Sequence, residues 1–152
     1  EGLYVPALYS VSYKPDGRIA AITPVEGAPD KVKRRVLPDL DSAPYPVQPI
    51  VPFLQTIHDR VAVEVARGCT RGCRFCQAGY IYRPVRERQP ETIRSLVEQM
   101  LRHSGYDEVS LLSLSTGDYS AIEVLMQDLM GCYADQRVAI SLPSLRVGSL
   151  TP

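Results

Sequence analysis

No apolar run in this chain approaches the roughly 20 residues that a membrane-spanning helix needs, so no membrane partner is expected. The first ten residues, EGLYVPALYS, hold neither a basic stretch nor the apolar core of a secretory signal, which leads to the expectation of a cytoplasmic protein. Net charge is also missing. Seventeen Lys and Arg balance 17 Asp and Glu, so nothing global argues for nucleic acid or an anionic surface. A second cysteine pair is absent: three of the four cysteines are crowded and one is remote, which is the wrong pattern for a disulfide framework. There is no internal repeat and no low-complexity tract. Position 1 is not Met, and the expectation is a piece cut from a longer chain. What remains, 152 residues, is long enough for one domain with a real core.

The cysteines carry the strongest signal. Cys69, Cys73 and Cys76 stand in the run CTRGCRFCQAG, a C-x3-C-x2-C spacing directly after the β-branched stretch Val61-Ala62-Val63-Glu64-Val65-Ala66. Soft thiolates on one short loop hold iron–sulfur clusters or zinc, and both usually take four protein ligands at a closed site. Three local ligands leave one position open, as a catalytic centre requires. That points to a catalytic cluster.

Two textures divide the chain. Residues 1 to 57 are rich in Pro and Tyr. Leu3 to Tyr13 and Arg18 to Ile22 read as strands joined by the turn Lys14-Pro15-Asp16-Gly17. Lys31 to Val36 reads as a further short strand, and Asp39 to Pro52, with four prolines, as an extended connector. From residue 58 strands and helices alternate. Val61 to Arg67 is predicted as a strand and Gly68 to Gln89 as a long Arg-rich loop. A helix then opens at Pro90, with Ile93, Leu96, Val97, Met100 and Leu101 on one face and Gly105 to stop it. Glu108 to Ser113 is a second strand, Ser115 to Asp118 a loop, and Ile122, Leu125, Met126, Leu129 and Tyr133 mark a second helix. Arg137 to Leu142 is the third strand. This βαβαβ order implies an α/β fold with parallel strands, in which functional loops follow the strands' C-terminal ends. The cysteine loop and Ser115 to Asp118 therefore share one rim.

The signature C-x3-C-x2-C after the first strand of a parallel β/α unit, with the aromatic Phe75 before the third Cys, resembles that of radical S-adenosylmethionine (SAM) enzymes. The wider text, including YRPVRERQPETI, DEVSLLSLSTGDY and SLPSLRV, is similar to an uncharacterised branch with an upstream cobalamin-binding domain and to methylthiotransferase-like members. The resemblance implies that 58–152 is the N-terminal portion of a partial parallel β/α barrel, with 1–57 as a β-rich lead-in and linker. It implies a 4Fe–4S cluster on Cys69, Cys73 and Cys76, whose fourth iron binds SAM, and reductive cleavage of SAM to a 5′-deoxyadenosyl radical. Phe75 carries over as an adenine contact through its main chain. Thr116, Gly117 and Asp118 occupy the place of a Gly-Gly-Glu loop that receives the SAM amino group; only Gly117 is shared. Ser141, Ser144 and Arg146 in the SLPSLR run lie at the end of the third strand and just past it, on the same rim, and Arg146 is suited to the SAM carboxylate. No catalytic side chain is singled out. Implied partners are a reducing electron donor such as flavodoxin or ferredoxin and a substrate left open between RNA and a small molecule, with cobalamin supplied, if used, by a domain outside this chain. Methyl transfer and methylthiolation are the candidate reactions. The isolated piece is expected not to turn over substrate.

Blander readings stand beside these. A zinc-stabilised RNA-binding domain would complete the thiol set with His58, His103 or Cys132, and an iron–sulfur electron-transfer module would close the cluster with a fourth cysteine. Cys132 is expected to be a core residue beside Leu125 and Leu129, and both histidines are expected to be structural. Arg67, Arg71, Arg74, Arg83, Arg86 and Arg88 face one acid, Glu87, in their loop. They suit an RNA contact or, more plainly, pairing with the acids of the fold.

Overall fold

The computed structural model describes residues 2–149 and divides into two compact units, 1–37 and 38–152, each taken by itself here. The amino-terminal unit is a hairpin. Strand β1 (Tyr9–Tyr13) pairs antiparallel with β2 (Ile19–Pro24), with a register shift at Ser12/Tyr13. Gly17, at φ +81°, makes the turn that only glycine adopts freely. The first strand begins later than the expected Leu3 because Pro6, which has no N–H to give a ladder, opens a 3₁₀ turn over Pro6–Leu8. Lys31 to Val36 is not a strand. The hairpin sheet stops at two strands, and a β-rich run without a ladder partner stays irregular.

The second unit is built on a parallel sheet. Strand β3 (Val61–Glu64) ends in register with the next parallel strand, and the chain then changes partners. Ala66–Arg67 (β4) pairs antiparallel with Arg86–Glu87 (β5), and a single helical turn, α1 (Ala78–Ile81), lies between them. The expected strand Val61 to Arg67 is thus two strands in two sheets, and the expected long loop contains two short elements. Helix α2 (Pro90–Ser104) follows, then β6 (Glu108–Leu112), helix α3 (Ile122–Tyr133) and β7 (Ala139–Ser141). The order β3-β6-β7 is parallel throughout, with Val61 opposite Val109 and Ser110 opposite Ser141. The expected partial barrel is, among the described residues, an open three-stranded α/β sheet. No helix of the described residues is long and apolar enough to cross a membrane.

Period-two burial on the strands meets period-3.6 burial on the helices. Val61, Val63, Val109 and Leu111 pack with Ile93, Val97 and Met100 of α2 and with Leu125, Leu129 and Tyr133 of α3. Each such aliphatic side chain contributes about 1.5–3 kcal/mol on burial. Gly105 closes α2 in the left-handed conformation at φ +72°, its N–H donating to Leu101 O. His103 Nδ1 lies 2.7 Å from Gln99 O within the same helix. Cys132 is exposed, contrary to expectation. The buried stripe runs through Leu125, Leu129 and Tyr133, and position 132 falls at its trailing edge.

The Pro-rich connector is not a free linker, and the boundary falls at Leu37/Pro38 rather than near 57. Leu40 is buried, and the Tyr45 hydroxyl donates to Ala62 O (2.9 Å) while accepting from Glu64 N–H (3.0 Å). Arg88, only 2% exposed, holds this strap in place. Its guanidinium donates to Glu64 O (3.0 Å) and Leu40 O and lies 5.2 Å from the centre of the Tyr45 ring. Its own carbonyl accepts from the Tyr119 hydroxyl (2.7 Å). Arg88→Ala is expected to cost about 2–4 kcal/mol, because buried carbonyls lose their donors and a cavity opens. Arg102→Ala, which breaks an exposed pair with Glu98, is expected to cost under about 1 kcal/mol. Urea denaturation of the two variants checks the contrast.

Candidate metal and cofactor site

The two-rung ladder of β4 and β5 pinches residues 68–85 into a loop that carries all three clustered cysteines. Gly68 sits in its neck at φ +92°, and a Cβ there would stand 2.5 Å from Tyr82 O and 2.6 Å from Pro84 O. Those are backbone atoms with nowhere to go, so glycine is obligatory. The Arg83–Pro84 peptide is cis. Two arginine side chains tie down the loop's backbone, Arg83 Nε donating to Gly79 O (2.8 Å) and Arg86 Nε to Pro84 O (3.1 Å), and the backbone closes a turn with Cys76 N–H donating to Cys73 O (2.9 Å).

Cys69, Cys73 and Cys76 are free thiols, each half-buried. Among the described residues no three Cys, His, Asp or Glu side chains form a ready-made metal geometry, and neither His58, His103 nor Cys132 joins the three in such a group. His58 instead lies 2.8 Å from an Arg60 nitrogen, and Arg60 pairs with Glu108 (2.7 Å). The donor set itself fits a cluster taking three thiolates: soft ligands on one loop at the C-terminal edge of a parallel sheet, without a fourth.

The loop is fastened to the turn that follows β6. Arg71, between the first two cysteines, makes a forked ion pair with Asp118, with Nε donating to Oδ2 at 2.7 Å and Nη2 to Oδ1. Ser115 Oγ–H donates to the same carboxylate (2.7 Å), and Arg146 Nη2 stands 4.0 Å away. The hydrogen-bonded Arg71 guanidinium holds the Asp118 carboxyl below its ordinary value; partial burial opposes it, and Ser115 and Arg146 add to the lowering. A cleft of about 470 Å³ lies between the two loops, with Cys69, Thr70, Arg71, Glu87, Ser115 and Asp118 in its wall. Tyr119 lines it too, and burial first, then Glu87 and Asp41, pushes its phenol up to about 12.

Of the predicted residues, Cys69 and Asp118 meet in this cleft, and Arg146 reaches Asp118. Thr116 is fully buried, its hydroxyl donating to Pro143 O (2.8 Å), so it braces the turn from within. Gly117 is backed by Ser149, whose side chain would lie 2.8 Å from an added Cβ. Ser141 is a half-buried rung of β7 opposite Ser110. Phe75 is 93% exposed and lies outside the cleft lining. Sequence reasoning missed Arg71 as the partner of Asp118 and Glu87 as a wall of the cleft. The pairing of the loop's arginines with acids of the fold was the only signal available for Arg71. Arg67 follows it as well, gripping Glu64 through Nε (2.8 Å) and Nη2 (2.7 Å).

Residues 63–148, more than half of the chain, match the family model of the radical SAM superfamily. The chain belongs to the radical SAM superfamily. An uncharacterized protein of Methanocaldococcus jannaschii is 35% identical over 121 residues, which cover 80% of this chain and 26% of that protein. The threonylcarbamoyladenosine tRNA methylthiotransferase of Bacillus subtilis is 29% identical over 96 residues, covering 63% of this chain and 19% of that enzyme. The chain thus spans about a quarter or less of the length of these relatives. Radical SAM membership brings iron–sulfur and SAM chemistry in general, which is the chemistry of enzymes.

Two outcomes follow from this geometry. Gly68→Ala is expected to unfold the loop's neck, seen as loss of amide protection at Ala66 and Arg67 in hydrogen exchange. Since the folded Asp118 value lies below the unfolded one, its ion pair stabilises the fold above the ordinary carboxylate range near pH 4 and is lost only as pH falls through the lowered value. In a carboxyl NMR titration, Arg71→Ala is expected to raise the Asp118 midpoint; an unmoved midpoint would remove Arg71 as the cause.

Proposed function

We propose that 58–152 is the cluster- and SAM-binding portion of a radical SAM enzyme, with Cys69, Cys73 and Cys76 as the three thiolate ligands. The observation that supports this most is the placement of all three thiols on the loop after β3, bolted by Arg71 to the turn after β6. When bound, the cluster supplies the electron that cleaves SAM to methionine and a 5′-deoxyadenosyl radical, which removes hydrogen from substrate. The chain's own side chains bind and orient. Asp118, kept ionised at neutral pH, offers an acceptor for the SAM ammonium, with Arg71 yielding part of its fork. Arg146, beside Asp118 and exposed, offers two parallel donors to the SAM carboxylate. Phe75, exposed on the loop, lends its main chain to the adenine. The likeness to a tRNA methylthiotransferase favours methylthiolation as the reaction of the whole protein.

Electron paramagnetic resonance of anaerobically reconstituted, dithionite-reduced protein tests the reading. A 4Fe–4S signal that changes shape on adding SAM is expected, as is its loss in Cys69→Ser, Cys73→Ser and Cys76→Ser. Cys132→Ser is expected to leave it intact. Bound zinc without a cluster would overturn the assignment.

A further inference from the structure

The amino-terminal unit carries a charged patch that the cysteine loop does not use. Lys31, Lys33, Arg34 and Arg35 place four of the chain's 17 cations in five residues with no acid among them. All four are exposed, and among the described residues Lys31, Lys33 and Arg35 have no carboxylate partner. A chain with zero net charge has concentrated positive charge here, on a stretch that belongs to no ladder.

Aromatic rings lie alongside. Arg35 packs against Gly2, where an added Cβ would stand 2.7 Å from the arginine Cγ. The Tyr9 hydroxyl donates to Pro29 O (2.9 Å), two residues ahead of Lys31. Between these anchor points Tyr4 stacks on Tyr9, with ring centres 4.9 Å apart and planes at 29°. Tyr4 is 51% exposed, so about half of the residue stays accessible beside the stack. A groove of about 670 Å³ runs between Gly2-Leu3 and residues 29–36.

We propose that this face of the amino-terminal unit binds single-stranded nucleic acid, with Lys31, Lys33 and Arg35 on phosphates and Tyr4 stacked on a base. Cations at every second position neutralise a phosphodiester backbone irrespective of sequence. An accessible aromatic ring one residue from the groove-lining Leu3 offers a base a surface to stack on. An acidic peptide or an anionic membrane would engage the cations and leave the ring unused. The combination is therefore what selects a polynucleotide. No residue of the cysteine loop takes part, so the proposal holds or fails independently of cluster binding.

The test is fluorescence anisotropy of the whole chain with a labelled mixed-sequence 20-mer, as RNA and as the matching single-stranded DNA, between 50 and 200 mM salt. Binding that weakens with salt is expected, and a preference between the two probes would identify which polynucleotide the site serves. Lys31→Ala/Lys33→Ala/Arg35→Gln is expected to weaken binding at least tenfold and to reduce the salt slope by about 2, at about 0.7 per phosphate contact. Tyr4→Ala is expected to weaken it about tenfold with the slope unchanged. Arg102→Ala, on α2, serves as the neutral control. Circular dichroism checks the fold, and Lys31→Ala/Lys33→Ala, which leaves Arg35 on Gly2, is read instead if the triple variant unfolds. No binding at 50 mM salt, or binding undiminished in the basic variants, would overturn the proposal. So would equal affinity for polyglutamate or phosphatidylserine vesicles together with an inert Tyr4→Ala.

Discussion

A guanidinium buried against carbonyl oxygens and a tyrosine ring holds the second unit in its functional shape. Arg88 directly follows β5, and its bonds reach the end of β3 through Glu64 O, the strap through Leu40 O and the turn after β6 through Tyr119. Removing a cation from water is costly, and only full satisfaction of its donors offsets that cost. Two carbonyl oxygens and the face of the Tyr45 ring supply part of that compensation here. The segments that Arg88 joins are far apart in sequence, and its side chain shares the strap with Tyr45 while its main-chain carbonyl takes Tyr119.

Arg71 works differently. It is half exposed, and its value lies in direction rather than in burial. A forked pair fixes the angle as well as the distance between two loops, which a lysine could not do. The carboxylate it grips also collects Ser115 and Arg146, so three donors converge on one acid at the mouth of the cleft. The lowered value of Asp118 keeps that carboxylate charged at neutral pH, and its partners set its direction.

The parts of this architecture that were legible in the sequence are those decided locally. Helix α2 announced itself through Pro90, its apolar stripe and Gly105, all within one element. The parallel order of β3, β6 and β7 followed from the alternation of strand and helix, and the shared rim of the two loops followed from that order. What stayed hidden depends on distant partners. Val61 to Arg67 reads as one strand because nothing local records that β4 leaves β6 for β5. Arg88 reads as a surface charge because arginines usually are. Lys31 to Val36 has strand-like residues but finds no neighbour to bond. Cys132 was misplaced by a single helical step at the edge of a stripe.

The neck formed by β4, β5 and Gly68 separates two processes that small metal domains usually merge. Where a metal must also bring distant ends of a chain together, the entropy of that closure falls on the binding step, and the apoprotein unfolds. Here hydrogen bonds of the polypeptide have already joined the ends of 68–85. Any group drawn onto the thiols would meet a ring already closed, with the register of β4 and β5 set beforehand. The scaffold can therefore be assembled first and loaded afterwards, and oxidative loss of the inorganic core would leave an intact receptacle for its replacement.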